Sequence, residues 1–189
     1  DVLAHEASMK LATSNFYKGD FDWTLQQVKI LKQSSSLLIA NDAIEMFLLI
    51  QDNSAEDSLR VALQAYAKAD FKLYQKKNND ALQSFLALLE KHKGESIEAG
   101  TLLKVGEIYE QRKEYTKALT YYQNILDNHK DGIYIDEALF YSAEIYRKFL
   151  LENEKAKAFY EKMVLEHPDS LYYTESRKQY RTLRGDTTI

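Results

Sequence analysis

Four histidines are the residues best suited by type to chemistry near neutral pH, as metal ligands or as acid–base groups. Three of them, His92, His129 and His167, recur at intervals of 37 and 38 residues. Equivalent positions in stacked helical units are about 10 Å apart, which is too far for three imidazoles to share one ion. A partly positive side chain is favoured at a helix C-terminus, so we assign these three a structural role and leave His5 unassigned.

The usual sequence signs of catalysis are missing. The chain has no cysteine, no Gly-x-Gly-x-x-Gly or phosphate-loop motif, and no serine in a Gly-x-Ser-x-Gly elbow. Carboxylates are plentiful, as on any solvated helical surface, and no pair has a spacing that requires an acid–base role. We therefore expect no enzyme activity and no catalytic, metal or cofactor site. Arg184-Gly185-Asp186 matches an integrin-binding tripeptide, but glycine after a helix is the ordinary left-handed stop.

Composition narrows the fold and the partners. Of the 189 residues, 45% are hydrophobic, six are glycine and one is proline, which favours helices over a turn-rich fold. The formal net charge of −4 argues against the basic field that nucleic-acid binding needs. No run approaches the roughly eighteen apolar residues of a membrane-spanning helix. Because the first residue is Asp1 rather than methionine and residues 1–10 have the pattern of a helix already in progress, we expect a truncated or processed product.

An internal repeat organises most of the chain. A small residue followed four positions later by an aromatic recurs at intervals of 37 and 38 residues, as Ala81 and Phe85, Ala118 and Tyr122, and Ala156 and Tyr160. Residues four apart lie on one face of a helix. Upstream, small residues lie where two helices would have to approach closely, at Ala69, Gly106 and Ala143. The pattern predicts consecutive pairs of packed helices.

This order of small residue, tyrosine, alanine, aromatic and terminal proline resembles the tetratricopeptide repeat family. The best-matching repeat has Leu102, Val105, Gly106, Tyr109, Ala118, Tyr122 and Ile125 at the family's packing positions, and the next has Leu139, Ala143, Tyr146, Ala156, Tyr160, Met163 and Pro168. The resemblance implies an all-α fold, a right-handed α-α superhelix of stacked helix-turn-helix repeats.

We expect a single solenoid over residues 1–189. It comprises a degenerate repeat at 1–36, an extra helix at 37–54, repeats at 58–94, 97–131 and 134–168, and a capping helix at 170–184. Ten helices are predicted, at 2–18, 21–33, 38–52, 56–76, 78–92, 97–112, 115–129, 134–149, 153–166 and 170–183. The repeat at 134–168 has one extra residue, which we place in the interhelix turn near 151–153. Lys72 replaces a usual tyrosine, which predicts irregular packing of the first helix at 58–94.

The resemblance also implies that partners bind the concave side, formed by the first helix of each repeat. An acidic line is predicted there from Asp70, Glu107 and Glu144, which are spaced by 37 residues. Its flanks are Leu63, Tyr66, Leu73, Leu103, Glu110, Glu137, Phe140 and Arg147. Such a surface favours a protein or peptide with basic and apolar anchor residues. The alternative is a solvated face whose acids align by chance.

The stretch from His167-Pro168 through Arg177 and Tyr180 to Asp186 is similar to the ends of tetratricopeptide proteins of bacterial envelopes, of the outer-membrane assembly and Tol-Pal-associated types. This similarity implies a protein-interaction scaffold in a periplasmic or cell-envelope assembly, with a cytoplasmic location as the alternative. The alternative function is a regulatory or substrate-recruiting domain of a larger enzyme or signalling protein. Homo-oligomers through Phe47, Tyr66 or the tyrosines at 172 and 173 are compatible with either.

Overall fold

The computed structural model describes residues 2–54 and 59–186, and in them the chain forms ten α-helices and one π-helical turn, with no strand. The helices are α1 (Val2–Lys18), α2 (Phe21–Leu31), α3 (Leu37–Asp52), α4 (Val61–Tyr74), α5 (Asn78–Lys91), α6 (Ile97–Gln111), α7 (Tyr115–Asn128), α8 (Ile135–Ile145), α9 (Asn153–Glu166) and α10 (Tyr173–Arg184), with the π-helical turn at Tyr146–Leu150. The all-α prediction is confirmed. The helix predicted at 56–76 begins partly outside the described residues.

Contacts between residues divide the chain into two compact units, Asp1–Thr101 and Leu102–Ile189. The division falls within α6. The first compact unit holds α1 to α5, and the second holds α7 to α10 and the π-helical turn.

In the first compact unit, α1 packs against α2, α3 and α4, and α4 packs against α5. The helix α3, which interrupts the series of helix pairs, contributes Ile39 and Ala43 to a buried cluster with Ala12, Val28 and Leu31. Aromatic rings link the pairs: the centroid of Tyr66 lies 6.4 Å from that of Phe16 and 5.4 Å from that of Phe85. Burial of these apolar groups is the main favourable term in folding.

Three interhelix turns share one backbone geometry. Each contains a residue with positive φ, at Gly19 (84°), Lys76 (63°) and Lys113 (62°). Five residues after that position lies a small buried residue, at Thr24, Ala81 and Ala118. Seven residues before it lies another small buried residue, at Ala12, Ala69 and Gly106. Ala12 is fully buried, so it is the close-packing residue of α1, a role that we had not assigned from the sequence.

The fourth turn, at Leu151, keeps this geometry, with a φ of 56°. The backbone N–H of Glu114 donates to the carbonyl of Tyr109, five residues earlier, whereas that of Glu152 donates to Tyr146, six residues earlier. The extra residue therefore lies in the π-helical turn Tyr146–Leu150, and its predicted place in the interhelix turn was wrong. A single π-helical turn absorbs one residue within a helix, so the turn and the register of Ala156 are preserved.

The lysine at position 72 does not disturb its helix. α4 is α-helical throughout Val61–Tyr74. The Lys72 ammonium reaches across to α5 and donates to the Ser84 hydroxyl at 2.8 Å. The backbone of α4 is therefore regular at Lys72, and the irregular packing predicted for this helix stays a prediction.

Leu151→Gly is expected to raise the free energy of unfolding by about 0.5–1 kcal/mol, because a left-handed backbone costs an L-residue about 1–2 kcal/mol and costs glycine almost nothing. The Leu151 side chain is 75% exposed, so little packing is lost. Chemical denaturation measures the change. Leu165→Gly, at an equally exposed site in helical backbone, is the matched control and should lower stability; a destabilised Leu151→Gly would contradict the expectation.

Candidate functional site

The second compact unit is built on a close contact between α6 and α7. The Gly106 backbone lies against the ring of Tyr122, which is fully buried. A Cβ at position 106 would lie 2.8 Å from Cδ1 of that ring and closer still to Cε1. Only glycine fits here, and the contact fixes where the Tyr122 hydroxyl points.

The Tyr122 hydroxyl donates to Glu110 Oε2 at 3.0 Å, across the pair formed by α6 and α7. Burial raises the pKa of the Glu110 carboxyl above its usual range; the hydrogen bond from Tyr122 lowers it, and the neighbouring charge of Glu107 raises it further. Burial also raises the pKa of Tyr122, so this hydroxyl stays a neutral donor. Glu110 is therefore a partly desolvated carboxylate whose hydrogen-bond donor carries no charge.

In the next repeat, the hydroxyl of the equivalent tyrosine, Tyr160, donates to Glu144. Glu144 also forms ion pairs with Arg147, at 3.0 Å, and with Lys148, and Arg147 Nε donates to the Tyr160 hydroxyl at 3.1 Å. Burial alone would raise the pKa of Glu144, but the hydrogen bonds from Lys148, Tyr160 and Arg147 outweigh it and hold the pKa below its usual range. Glu144 is thus a buried, compensated carboxylate.

These two tyrosine–carboxylate pairs lie within electrostatic range of each other. The Glu110 carboxyl is influenced by the charges of Glu107, Lys148 and Glu144. Glu107 accepts from Lys104 at 3.1 Å, and both side chains are about one quarter exposed. We call the accessible charged groups of this region the mixed-charge surface, and they are Lys104, Glu107, Glu110, Arg147 and Lys148.

Three of the apolar and aromatic residues predicted to bind a partner are buried. Leu63 is 0% exposed, and Tyr66 and Leu103 are each 2% exposed. Side chains with so little accessible surface support the helices from inside and offer a partner no contact area, so we remove them from the proposed surface. The spacing of aliphatic residues and tyrosines had suggested that these three residues lie on the concave surface. It instead marks the face of each helix that packs into the core.

Glu144 was predicted to present its charge to a partner, but it is only 8% exposed and its charge is met within the chain by Arg147 and Lys148. Glu107 and Glu110 remain half-buried and reachable. Asp70 lies in the first compact unit, where it accepts from the Tyr17 hydroxyl at 3.0 Å. An acidic line joining Asp70 to Glu107 stays a prediction.

The remaining predicted residues are half-buried. Leu73 lies near the end of α4, and Glu137 and Phe140 lie on α8. The ring of Phe140 stacks on Tyr172 with centroids 4.5 Å apart, so this aromatic joins α8 to the segment before α10. Its stacked face is not available to a partner.

The aromatic residues proposed for self-association are also engaged within the chain. Tyr66 is in the core, and the Lys32 ammonium lies 3.6 Å from the centroid of the Phe47 ring. Tyr172 stacks on Phe140. Only the buried Tyr66 is thereby removed from this hypothesis, and homo-oligomers through Phe47, Tyr172 or Tyr173 stay a prediction.

Sequence reasoning missed the two lysines of the mixed-charge surface. Lys148 follows Glu144 by four residues and Lys104 precedes Glu107 by three, which are the spacings of paired charges on a helix, so a search for such pairs would have found both. It also missed the tyrosine hydroxyls, because Tyr122 and Tyr160 were assigned to packing alone. Their rings do pack, and their hydroxyls donate to the carboxylates of Glu110 and Glu144.

The three repeated histidines occupy the predicted helix ends. His92, His129 and His167 are the C-terminal capping residues of α5, α7 and α9. His92 lies 2.9 Å from Glu95, and His167 lies 2.8 Å from Asp136. In residues 2–54 and 59–186, no group of three or more histidine or carboxylate side chains is arranged to hold a metal ion.

A comparison with known protein families finds matches for the helix pairs in the second half of the chain. Two segments match the tetratricopeptide repeat family. They are residues 101–132 and 137–170, which together make up about a third of the chain. Repeats of this family generally mediate interactions between proteins and are typically non-catalytic scaffolds. No curated protein matches the chain.

The mixed-charge surface is carried by the matched repeats. Lys104, Glu107 and Glu110 fall in the first matched segment, and Arg147 and Lys148 in the second. Within the part of the chain that is described, no helix has the length and apolar character needed to cross a membrane.

Proposed function

We propose that the second compact unit binds a protein partner through the mixed-charge surface, with a lysine or arginine of the partner placed against Glu110 and Glu107. The observation that carries the proposal is the state of Glu110. Among the described residues this carboxylate forms no ion pair, and its hydrogen-bond donor is the neutral hydroxyl of Tyr122. Burial and Glu107 both raise its pKa, so its charge is held at a cost that a partner's cation would offset.

The other end of the surface favours an acidic group of the same partner. Arg147 and Lys148 are 26% and 49% exposed, although both contact Glu144. A partner segment with a basic residue followed by an acidic one would match the order from Glu110 to Arg147. Paired charges of this kind contribute mainly to the choice of partner and to the rate of association.

We further propose that this partner belongs to a bacterial cell-envelope assembly. Support comes from the similarity of the C-terminal stretch, His167 to Asp186, to the ends of envelope tetratricopeptide proteins. A photo-crosslinking residue at position 104, introduced in the native cell, would identify the attached protein. Adducts made only of cytoplasmic proteins would reject the envelope location and leave the surface itself to be tested separately.

Glu107→Lys combined with Glu110→Lys is expected to weaken binding of the crosslinked partner by at least about tenfold, since a partly desolvated ion pair contributes about 1–2 kcal/mol and its reversal adds repulsion. The matched control is Glu154→Lys with Glu166→Lys, which makes the same charge change at exposed sites of α9. Titration calorimetry measures the affinity, and circular dichroism checks the helices. Equal loss in both variants would reject a specific surface.

The pH dependence of this binding follows from the raised pKa of Glu110. The cation of the partner needs the carboxylate form, and that form is lost as the pH falls through a pKa above the usual glutamate range. Binding should therefore weaken on acidification before ordinary carboxylates titrate, and Glu110→Gln should remove this early phase.

A further inference from the structure

The last helix, α10, has two faces of opposite character. Ser176 is fully buried, and Tyr180 and Leu183 pack against the cluster formed by Ala143, Ala156 and Tyr160. The Tyr180 hydroxyl donates to Glu161 of α9 at 2.6 Å. These contacts fix the rotation of α10 and decide which residues face away from the protein.

The outward face is basic. Arg177, Lys178 and Arg181 are exposed, and their spacing of one, three and four residues places them on one side of the helix. The acid of this helix, Glu175, accepts a hydrogen bond from Gln179. The chain as a whole has a net charge of −4, whereas this face of α10 is positively charged.

A carboxylate already lies at one edge of this face. Gly185 has a φ of 86° and ends α10 in the left-handed conformation, which turns the chain back so that Asp186 meets the helix. Asp186 accepts from Arg184 Nε at 2.9 Å and lies 3.7 Å from Arg181 Nε. The hydrogen bond and charge of Arg184 hold the pKa of Asp186 below its usual range. The edge of α10 is therefore a place where a carboxylate is held by guanidinium groups.

A shallow hollow of about 260 Å³ adjoins this edge. Its lining includes the cationic Arg177, Lys178 and Arg181, the carboxylate of Asp186, and the hydroxyl-bearing Tyr173 and Thr174. Thr182 also lines it, but the Thr182 hydroxyl already donates to the backbone carbonyl of Lys178 at 3.0 Å. Cationic groups and hydroxyl donors are the groups that recognise carboxylates, and guanidinium groups bind them with two parallel hydrogen bonds.

We infer that the outward face of α10 binds an acidic segment of a protein, with successive Asp or Glu side chains placed on Arg177, Lys178 and Arg181. The segment would extend the carboxylate interaction that Asp186 makes at the edge. A protein segment fits better than a nucleic acid or an anionic membrane, because those polyanions need a wide basic field and this chain offers a few cations on a net negative surface. The site shares no residue with the mixed-charge surface and goes beyond the function proposed for it.

The test uses a fluorescent oligoglutamate peptide and the whole chain. Arg177→Glu, Lys178→Glu and Arg181→Glu together are expected to weaken peptide binding by at least about tenfold, since each exposed charge pair contributes up to about 1 kcal/mol. The matched control reverses three exposed lysines elsewhere in the second compact unit, Lys130, Lys155 and Lys162, and should lose much less. Fluorescence anisotropy measures the affinity, and circular dichroism checks the helices.

Asp186→Asn distinguishes a specific peptide site on α10 from non-specific electrostatic attraction between the peptide and the protein. Removing the internal carboxylate should free Arg181 and Arg184 and tighten peptide binding by about two- to threefold, whereas Asp169→Asn, which removes one exposed charge elsewhere, should leave it nearly unchanged. Equal losses in the two triple variants, or equal gains in the two asparagine variants, would overturn the inference. So would a preference of the α10 face for anionic vesicles or single-stranded nucleic acid over the peptide.

Discussion

Gly106→Ala is expected to lower the free energy of unfolding by about 1–3 kcal/mol, the usual cost of overpacking a core. The added methyl group would meet the ring of Tyr122 at less than van der Waals distance, and that ring is fully buried and has no space to move into. The better helix propensity of alanine returns at most about 1 kcal/mol. Chemical denaturation followed by circular dichroism measures the difference.

A second variant identifies the cause of that loss. In a Tyr122→Leu background the ring is gone, so Gly106→Ala should cost less than in the parent, and the double-mutant cycle should give a coupling of about 0.5–3 kcal/mol. Tyr122→Phe keeps the ring and should leave the cost of Gly106→Ala unchanged. A Gly106→Ala protein as stable as the parent would mean that α6 and α7 separate easily, and the position of Tyr122 would then not be fixed by this contact.

The helix pairs were predictable because close packing leaves a strong mark on a sequence. A small residue is needed wherever two helices touch, and a large one must fill the next gap, so Gly106 and Tyr122 were found from spacing alone. Ala12 was not assigned, although Thr24 occupies the alanine position of the same turn, because small close-packing residues were sought only in the later repeats. The structure identifies Ala12 as the close-packing residue because the turn at Gly19 has a positive φ, as do those at Lys76 and Lys113. Ala12 precedes its turn by the same seven residues as Ala69 and Gly106.

The π-helical turn could not be placed in the same way. The number of residues between Ala143 and Ala156 shows that one residue is extra but not where it lies. A longer interhelix turn and a π-helical turn within the helix would each accommodate one additional residue. The structure prefers the helix because the left-handed residue Leu151 and the hydrogen bond of Glu152 to Tyr146 are then retained. Backbone hydrogen bonding decided a question that hydrophobic spacing left open.

The candidate site was the least predictable part because charge compensation depends on side-chain directions. Glu107 and Glu144 occupy equivalent positions and were given equal roles, yet one is a quarter exposed and the other nearly buried. The difference comes from the residue one turn later, which is Glu110 in one repeat and Arg147 in the next. The tyrosine hydroxyl consequently bonds to Glu110 in the first repeat and to Glu144 in the second.

Glu144→Gln and Glu110→Gln are expected to change stability in opposite directions although both replace a carboxylate by an amide of the same shape. In Glu144→Gln the cations of Arg147 and Lys148 lose their counterion, which should cost about 1–3 kcal/mol at neutral pH. In Glu110→Gln a desolvated charge disappears while Tyr122 keeps an acceptor, so stability at neutral pH should rise. Denaturant titrations of both variants beside the parent measure the two signs.

The pH dependence distinguishes the two acids further. The pKa of Glu144 is lowered in the folded protein, so its contribution is fully present above the ordinary value of 4.5 and is lost as the pH falls through the lower, folded value. The pKa of Glu110 is raised, so its ionisation opposes folding above the raised value, and this penalty disappears as the pH falls towards 4.5. The advantage of Glu110→Gln over the parent should therefore vanish on mild acidification, while the deficit of Glu144→Gln should persist until stronger acid.

This contrast decides which acid belongs to a binding surface. A carboxylate that stabilises its own fold loses stability when it is replaced, and a partner gains little by approaching it because its charge is already met. A carboxylate whose ionised form is destabilised by burial is stabilised when another protein places a cation beside it. If Glu110→Gln destabilises the protein as much as Glu144→Gln does, both acids are structural, and the partner's cation has no place at Glu110. If only Glu144→Gln is destabilising, charge reversal at Glu107 and Glu110 measures binding alone.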